Sequence, residues 1–176
     1  MPLIPAALED LTSVAALVNS AYRGDTSRQG WTTEADLLGG QRTDPETLAQ
    51  QLGANPDARL LVLRDEAAGP PLGVVWLEPT SEPDVWHLGM LTVRPDLQDR
   101  KLGRSLLEGA EATAAGLGAE RIRMTVIPLR AELVAWYERR GYRRTGETKP
   151  FPYGDLRFGE PQRDDLEFIV LEKALS

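Results

Sequence analysis

Three basic side chains, Arg100, Lys101 and Arg104, fall where an apolar run of strand length gives way to a helix-periodic stretch. The run is Val85 to Val93 (VWHLGMLTV), the connection is RPDLQDRK, and the stretch is LGRSLLEGAEATAAGL. A helix that starts directly behind a strand presents unpaired backbone N–H groups and the positive end of its dipole, and such an end holds a pyrophosphate without a dedicated cation. The plainer reading of this block is an ordinary strand-to-helix connection whose basic residues are solvated. The run also carries His87, the chain's single histidine. An imidazole that titrates near neutrality can serve as a general base, whereas a lone histidine in an apolar strand is otherwise a hydrogen-bonded core residue. With no cysteine and one histidine in 176 residues, thiol nucleophiles, acyl-cysteine intermediates, disulfides, thiolate zinc and multi-histidine metal centres are excluded, and no metal is expected.

The composition behind these residues, 41% hydrophobic and 27% charged, is that of one globular domain spanning 1–176. An excess of 27 Asp and Glu over 20 Lys and Arg, a formal net charge of −7, argues against a nucleic-acid partner, because phosphate neutralisation needs a basic surface. No apolar run approaches the roughly 18 residues of a membrane span, and MPLIPAALED lacks a basic segment followed by an apolar core; no membrane partner is expected, and the cytoplasm is the default location.

The elements that must position the chemistry read in order. Leu11, Val14, Ala15, Val18 and Tyr22 recur at helical spacing, and a second helix is expected after Asp44, with Pro45 in its first turn and Leu48 and Leu52 on one face. Arg59 to Arg64 and Leu72 to Leu77, separated by DEAAGPP, read as a hairpin, and Val85 to Val93, stopped by Arg94 and Pro95, as a central strand. Leu102, Leu106, Ala110, Thr113, Ala114 and Leu117 mark one face of a long helix, and a strand from Arg121 to Ile127 follows. Leu129, Leu133, Trp136, Tyr137 and Arg140 describe a further helix with Gly141 as its left-handed cap. Strands near Tyr142 to Glu147 and Leu166 to Leu171 (LEFIVL) close the pattern. Two irregular segments remain, Gly24 to Asp44, with a weak helical stretch at Thr33 to Leu38, and Lys149 to Asp165.

The connection resembles the acyl-CoA loop of the GNAT acetyltransferase superfamily, whose usual pattern is Gln or Arg, two residues, Gly, one residue, Gly or Ala. Here it reads Gln98, Asp99, Arg100, Lys101, Leu102, Gly103, so Lys101 replaces the first glycine while Gly103 keeps the second. Pro95 and the Leu106 and Leu107 pair look like the family too, and AWYERRGYRRTGE (Ala135 to Glu147) is similar to its later helix, with a Tyr-Glu pair and a following Gly-aromatic turn. Where the family often carries Asn, seven residues before that Tyr, this chain has Arg130, which can meet a phosphate instead.

The resemblance implies an α+β fold: a central, mostly antiparallel twisted sheet with a splayed parallel strand pair, flanked by helices on both faces. It implies acetyl-CoA as co-substrate, with its pantetheine on the backbone of Leu91, Thr92 and Val93, its pyrophosphate on residues 98 to 104, and an oxyanion held by a backbone N–H near Leu91. By motif position Tyr137 is the acid that protonates the thiolate. His87 is the candidate base, four residues before Leu91 and expected on the same strand face as Gly89, Leu91 and Val93, and Glu78 is the second choice. Acceptor recognition is expected from Trp31, with Asp36 or Arg42, and from Phe151, Tyr153, Asp155 and Arg157; any of these can equally be a loop anchor. The expected activity is acetyl transfer to a primary amine of a small molecule by direct attack in a ternary complex. The alternatives are a peptide N-terminal acetyltransferase and a non-catalytic acyl-CoA-binding sensor. LEFIVL is apolar enough to pair with a second copy, which makes a homodimer an expectation, although an interior strand has the same composition.

Overall fold

A computed structural model describes residues 3–22, 38–39, 43–66, 69–150, 160–161 and 166–175. The chain opens on a three-residue strand, β1 (Leu3–Pro5), which has too few residues for periodicity and a proline that suits an edge position. Helix α1 (Leu11–Tyr22) follows, then the two-residue strand β2 (Leu38–Gly39) and helix α2 (Pro45–Ala54). Asp44 caps α2 as its position predicts: Thr47 N–H donates to its carboxylate at 2.8 Å, and Pro45 occupies the first turn where no N–H is needed. Strands β3 (Arg59–Leu63) and β4 (Gly73–Pro79) form the expected hairpin, and β5 (Val85–Val93) has the span read from its apolar run. A 3-10 turn at Pro95–Arg100 leads into α3 (Leu102–Gly116), then β6 (Arg121–Val126), α4 (Ala131–Arg139), β7 (Arg143–Pro150), β8 (Glu160–Pro161) and β9 (Glu167–Ala174).

Seven strands make one sheet in the order β1-β3-β4-β5-β6-β9-β7, with β5 in the middle; every neighbouring pair is antiparallel except β5 and β6. Helices cover both faces. On one, Leu106, Leu107, Ala110 and Ala114 of α3 and Val134 and Tyr137 of α4 pack against Leu61, Val75, Leu77, Leu88 and Met124. On the other, Leu11, Val14, Val18 and Leu48 of α1 and α2 pack against Leu60, Val62, Val74 and Trp76. Strands buried on both faces have no polar side to alternate with, so RLLVL and LGVVWL read as continuous apolar runs. Gly73 is where α3 comes down onto the sheet: a Cβ there would lie 3.0 Å from the Thr92 carbonyl oxygen and 3.1 Å from Leu106 Cδ2.

Three expectations are corrected. Leu117 and Leu129 are 41% and 45% exposed, because α3 ends at Gly116 and α4 begins at Ala131, and helical periodicity carries no meaning beyond the helix ends. All of LEFIVL but Leu166 lies in β9, which pairs with β6 on one side and β7 on the other, so it offers no free edge to a second copy. Leu38 ends the expected Thr33 to Leu38 helix but belongs to β2, whose antiparallel partner is β8; the rest of that stretch lies outside the described residues.

Candidate active site

The site begins where the one parallel pair stops. Val85, Trp86 and His87 pair with Arg121, Ile122 and Arg123, and beyond that register β5 runs on to Val93 and β6 to Val126 without pairing to each other. The two strands therefore part directly after His87.

Three residues later β5 carries a bulge. On β4 only Val75 stands between the partners Val74 and Trp76, whereas on β5 both Met90 and Leu91 stand between Thr92 and Gly89. Met90 has φ +52, a left-handed conformation that a non-glycine residue adopts only when its surroundings hold it there. Thr92 braces the distortion from within: its buried hydroxyl donates to the Met90 carbonyl at 2.8 Å. The bulge re-aims every side chain after it. Trp86 and Leu88 before it, and Leu91 and Val93 after it, all meet the α3 side, while Met90 meets the α1 and α2 side. His87 therefore does not share a face with Leu91 and Val93, as a regular strand would require. It stands on the α1 and α2 side, opposite Glu78 across the β4–β5 ladder.

There the His87 Nδ1 atom lies 3.7 Å from Glu78 Oε1, and Glu78 Oε2 accepts from Asn55 Nδ2 at 2.9 Å. The imidazole lies back along the strand over Gly89, where a Cβ would come within 3.3 Å of its Cε1. Gly89 was a readable signal, since a glycine inside an apolar strand marks a bulge or a close approach. Asn55, which follows α2, carried no such signal.

At the far end of β5, Gln98, Asp99 and Arg100 contribute their backbone to the 3-10 turn, and Lys101 stands between that turn and α3 with φ 60 and ψ 16. The left-handed conformation suited to glycine is thus retained with a lysine in it. Leu102 is partly buried on the α3-side core, and Gly103 faces the Trp136 ring and Val93, where a Cβ would make ordinary contacts at 3.6 and 3.8 Å.

A family model described as the acetyltransferase (GNAT) family matches residues 18–142. The chain belongs to the GNAT acetyltransferase family. Solved structures agree on the fold. A structure of smu.2055 from Streptococcus mutans superposes with a TM-score of 0.72 at 17% identity over 100% of both chains. A ribosomal-protein-alanine N-acetyltransferase from Brucella melitensis gives 0.71 at 18% over 99% of both, and a nourseothricin acetyltransferase 0.57 at 20% over 69% of this chain and 67% of that one. A search of curated protein sequences found no match.

GNAT enzymes transfer acyl groups and in general use acetyl-CoA. The residues of this GNAT chain fit a phosphorylated group beside α3. Arg104 stands in the first turn of that helix, and the Arg140 guanidinium lies 4.3 Å over the Trp136 ring. Burial, then the charges of Arg104 and Arg139, hold the Arg140 pKa below its usual value, against an opposing pull from Glu108, which itself accepts from Arg104 at 3.1 Å. Arg130 precedes α4, and its carbonyl accepts the Leu133 and Val134 N–H groups.

Tyr137 is 5% exposed, its ring edge-on to Trp136 at 5.2 Å and to Tyr142 at 5.7 Å. Tyr142 is committed elsewhere: its hydroxyl donates to Glu111 Oε2 at 2.8 Å, and Lys173 Nζ holds both oxygens of that carboxylate at 3.1 Å. Burial, followed by the Glu111 charge, raises the Tyr142 pKa far above that of an ordinary phenol. Trp31, Asp36, Arg42, Phe151, Tyr153, Asp155 and Arg157 lie outside the described residues. Among the described residues no group of three or more His, Asp or Glu is arranged to hold a metal ion, and no helix is long and apolar enough to cross a membrane.

Proposed function

We propose that this GNAT protein moves an acetyl group from acetyl-CoA to the primary amine of a small molecule, by direct attack in a ternary complex. The observation that carries the reading is the end of the β5–β6 pairing at His87 and Arg123, so that the strands part at the residue that bears the chain's single imidazole, three residues before the bulge. Acetyl-CoA supplies the acyl group as a thioester. In this reading His87 takes a proton from the acceptor ammonium, because only the free amine carries the lone pair that attacks. A backbone N–H at Leu91 donates to the thioester carbonyl as negative charge builds there, and the bulge is what aims that amide. The backbone of Leu91 and Val93 holds the pantetheine arm, and the turn from Gln98 to Arg104, with Lys101 at the head of α3, holds the pyrophosphate. Tyr137 protonates the leaving thiolate. The commitment of the Tyr142 hydroxyl to Glu111 supports this assignment by removing the neighbouring phenol from contention.

Trp31 and Tyr153 are the proposed acceptor contacts. The segments that carry them are tied together, since Leu38 and Gly39 pair with Pro161 and Glu160. That tie supports a small acceptor over an extended peptide threaded between the segments. The net charge of −7 favours a cationic amine through long-range attraction. The test is acetyl-CoA binding by calorimetry, followed by thiol release with a panel of amines, amino acids, aminoglycosides and short peptides. Binding with release to small amines is expected. Release to peptides alone overturns the acceptor class, and binding with no release from any amine makes the protein an acyl-CoA sensor.

A further inference from the structure

The imidazole of His87 is supported through two other elements. Glu78, its partner across the β4–β5 ladder, is as exposed as His87 itself, 33% against 32%. One Glu78 oxygen faces His87 Nδ1 at 3.7 Å, and the other accepts from the Asn55 amide at 2.9 Å. Asn55 is itself anchored: its backbone N–H closes the last turn of α2 by donating to the Gln51 carbonyl at 3.1 Å. Gly89 leaves room for that same Nδ1 to Cε1 edge, 3.8 and 3.3 Å from where a Cβ would stand. The other charged neighbour in the register is Arg123 of β6, and it is occupied: Glu172 and Glu82 accept from it at 2.9 and 3.0 Å. Glu78 is the carboxylate that faces the imidazole across the ladder.

We propose that Glu78 and Asn55 are positioning residues for His87: the Asn55 amide holds the Glu78 carboxylate, the carboxylate takes the Nδ1–H of the ring, and Nε2 is left with the lone pair that accepts the acceptor's proton. The proposal rests on the reading of His87 as the base. A separation of 3.7 Å closes to a hydrogen bond by a small rotation of either side chain, and catalytic contacts commonly tighten only once substrate is bound. The protons balance. The ammonium passes one proton to Nε2 and so to water. A second leaves the nitrogen after the C–N bond forms and the C–S bond breaks, and it restores the one that Tyr137 gives the thiolate.

His87 is the only histidine, so one imidazole signal in a nitrogen-15 and proton NMR titration of the full chain reports on it alone. In the wild-type protein the neutral ring is expected to carry its proton on Nδ1. Glu78→Gln keeps an oxygen for that proton but removes the charge that favours the imidazolium, so the ring should titrate about one pH unit lower, a tenfold loss of proton affinity. Asn55→Ala should shift it the same way by less, and Glu78→Leu should also abolish the Nδ1 preference. With a responsive amine, the acid limb of kcat/KM should move down by the same interval in Glu78→Gln, with the KM for acetyl-CoA unchanged; loss of packing alone would not move it. An unchanged ring titration and tautomer in Glu78→Gln and Glu78→Leu overturn the pairing even where His87→Gln removes the acid limb and the base stands. An acid limb indifferent to His87→Gln overturns the base assignment and the catalytic use of the pair, whatever the titration shows.

Discussion

Tyr137 and Tyr142 stand five residues apart with their rings in contact. Tyr142 donates to a carboxylate that a lysine also holds, a structural bond between α3 and the strand pair beyond α4. Tyr142→Phe is expected to cost about 1–2 kcal/mol in urea denaturation and to leave turnover within about threefold. Tyr137→Phe should act on the chemistry: a fall in kcat of about 100-fold or more, with acetyl-CoA affinity nearly unchanged, as read by steady-state kinetics and calorimetry. Unchanged turnover would remove the acid role from Tyr137. Lys101 separates conformation from charge in the same way. Its left-handed backbone costs a non-glycine residue roughly 1 kcal/mol, so Lys101→Gly should hold or raise the melting temperature. Acetyl-CoA should bind more weakly to that variant, because a cation is lost at the head of α3. The family pattern was legible at this position, and so was the departure from it; the retained conformation was not, since a residue's identity does not report its φ.

Among the elements, β5 carries most of the site, and its geometry depends on small residues as much as on its apolar run. Gly73 and Leu106 join α3 to β4 with almost no slack. Gly73→Ala should lose about 1–3 kcal/mol in chemical denaturation, because one of the two close atoms is backbone oxygen and cannot swing away. If the variant proves as stable as the wild type, α3 is less tightly seated than this contact requires. The length, type and central position of β5 were readable because nine residues bounded by turns and a proline are nearly all apolar. Its bulge was not. A strand buried on both faces shows no polar and apolar alternation, so inserting one residue leaves no mark on the pattern even though it reverses the face of everything after it.

Across the whole molecule, the seven-stranded sheet ties distant parts of the chain through charge. Glu172 on β9 bonds to Arg121 and Arg123 on β6, and Glu82, before β5, joins the group. Burial alone would raise the Glu172 carboxyl, but hydrogen bonds from Arg123 and Arg121 outweigh it and hold the pKa below the ordinary 4.5. A depressed folded pKa contributes stability that is complete above the unfolded value and lost as pH falls through the folded one. Stability should therefore decline as pH drops below about 4.5, and Glu172→Gln, though less stable near neutrality, should lose less across that window. An equal acid loss in both proteins would place the titrating group elsewhere.

The amino-acid pattern by itself determined the α+β class, the order of the principal elements, the central place of VWHLGMLTV and, through the loop around Gly103 and the helix around Tyr137, the family. These are local properties, set by burial, turn chemistry and capping within a few residues of one another. The tertiary structure alone decided which face His87 occupies, that Glu78 stands opposite it and Asn55 against Glu78, that LEFIVL is paired on both sides, and that two irregular segments touch where Leu38 and Gly39 pair with Pro161 and Glu160. Apolar composition states that a residue is buried but not against what. The register of strands far apart in the chain, shifted by a single bulge, decides the partner.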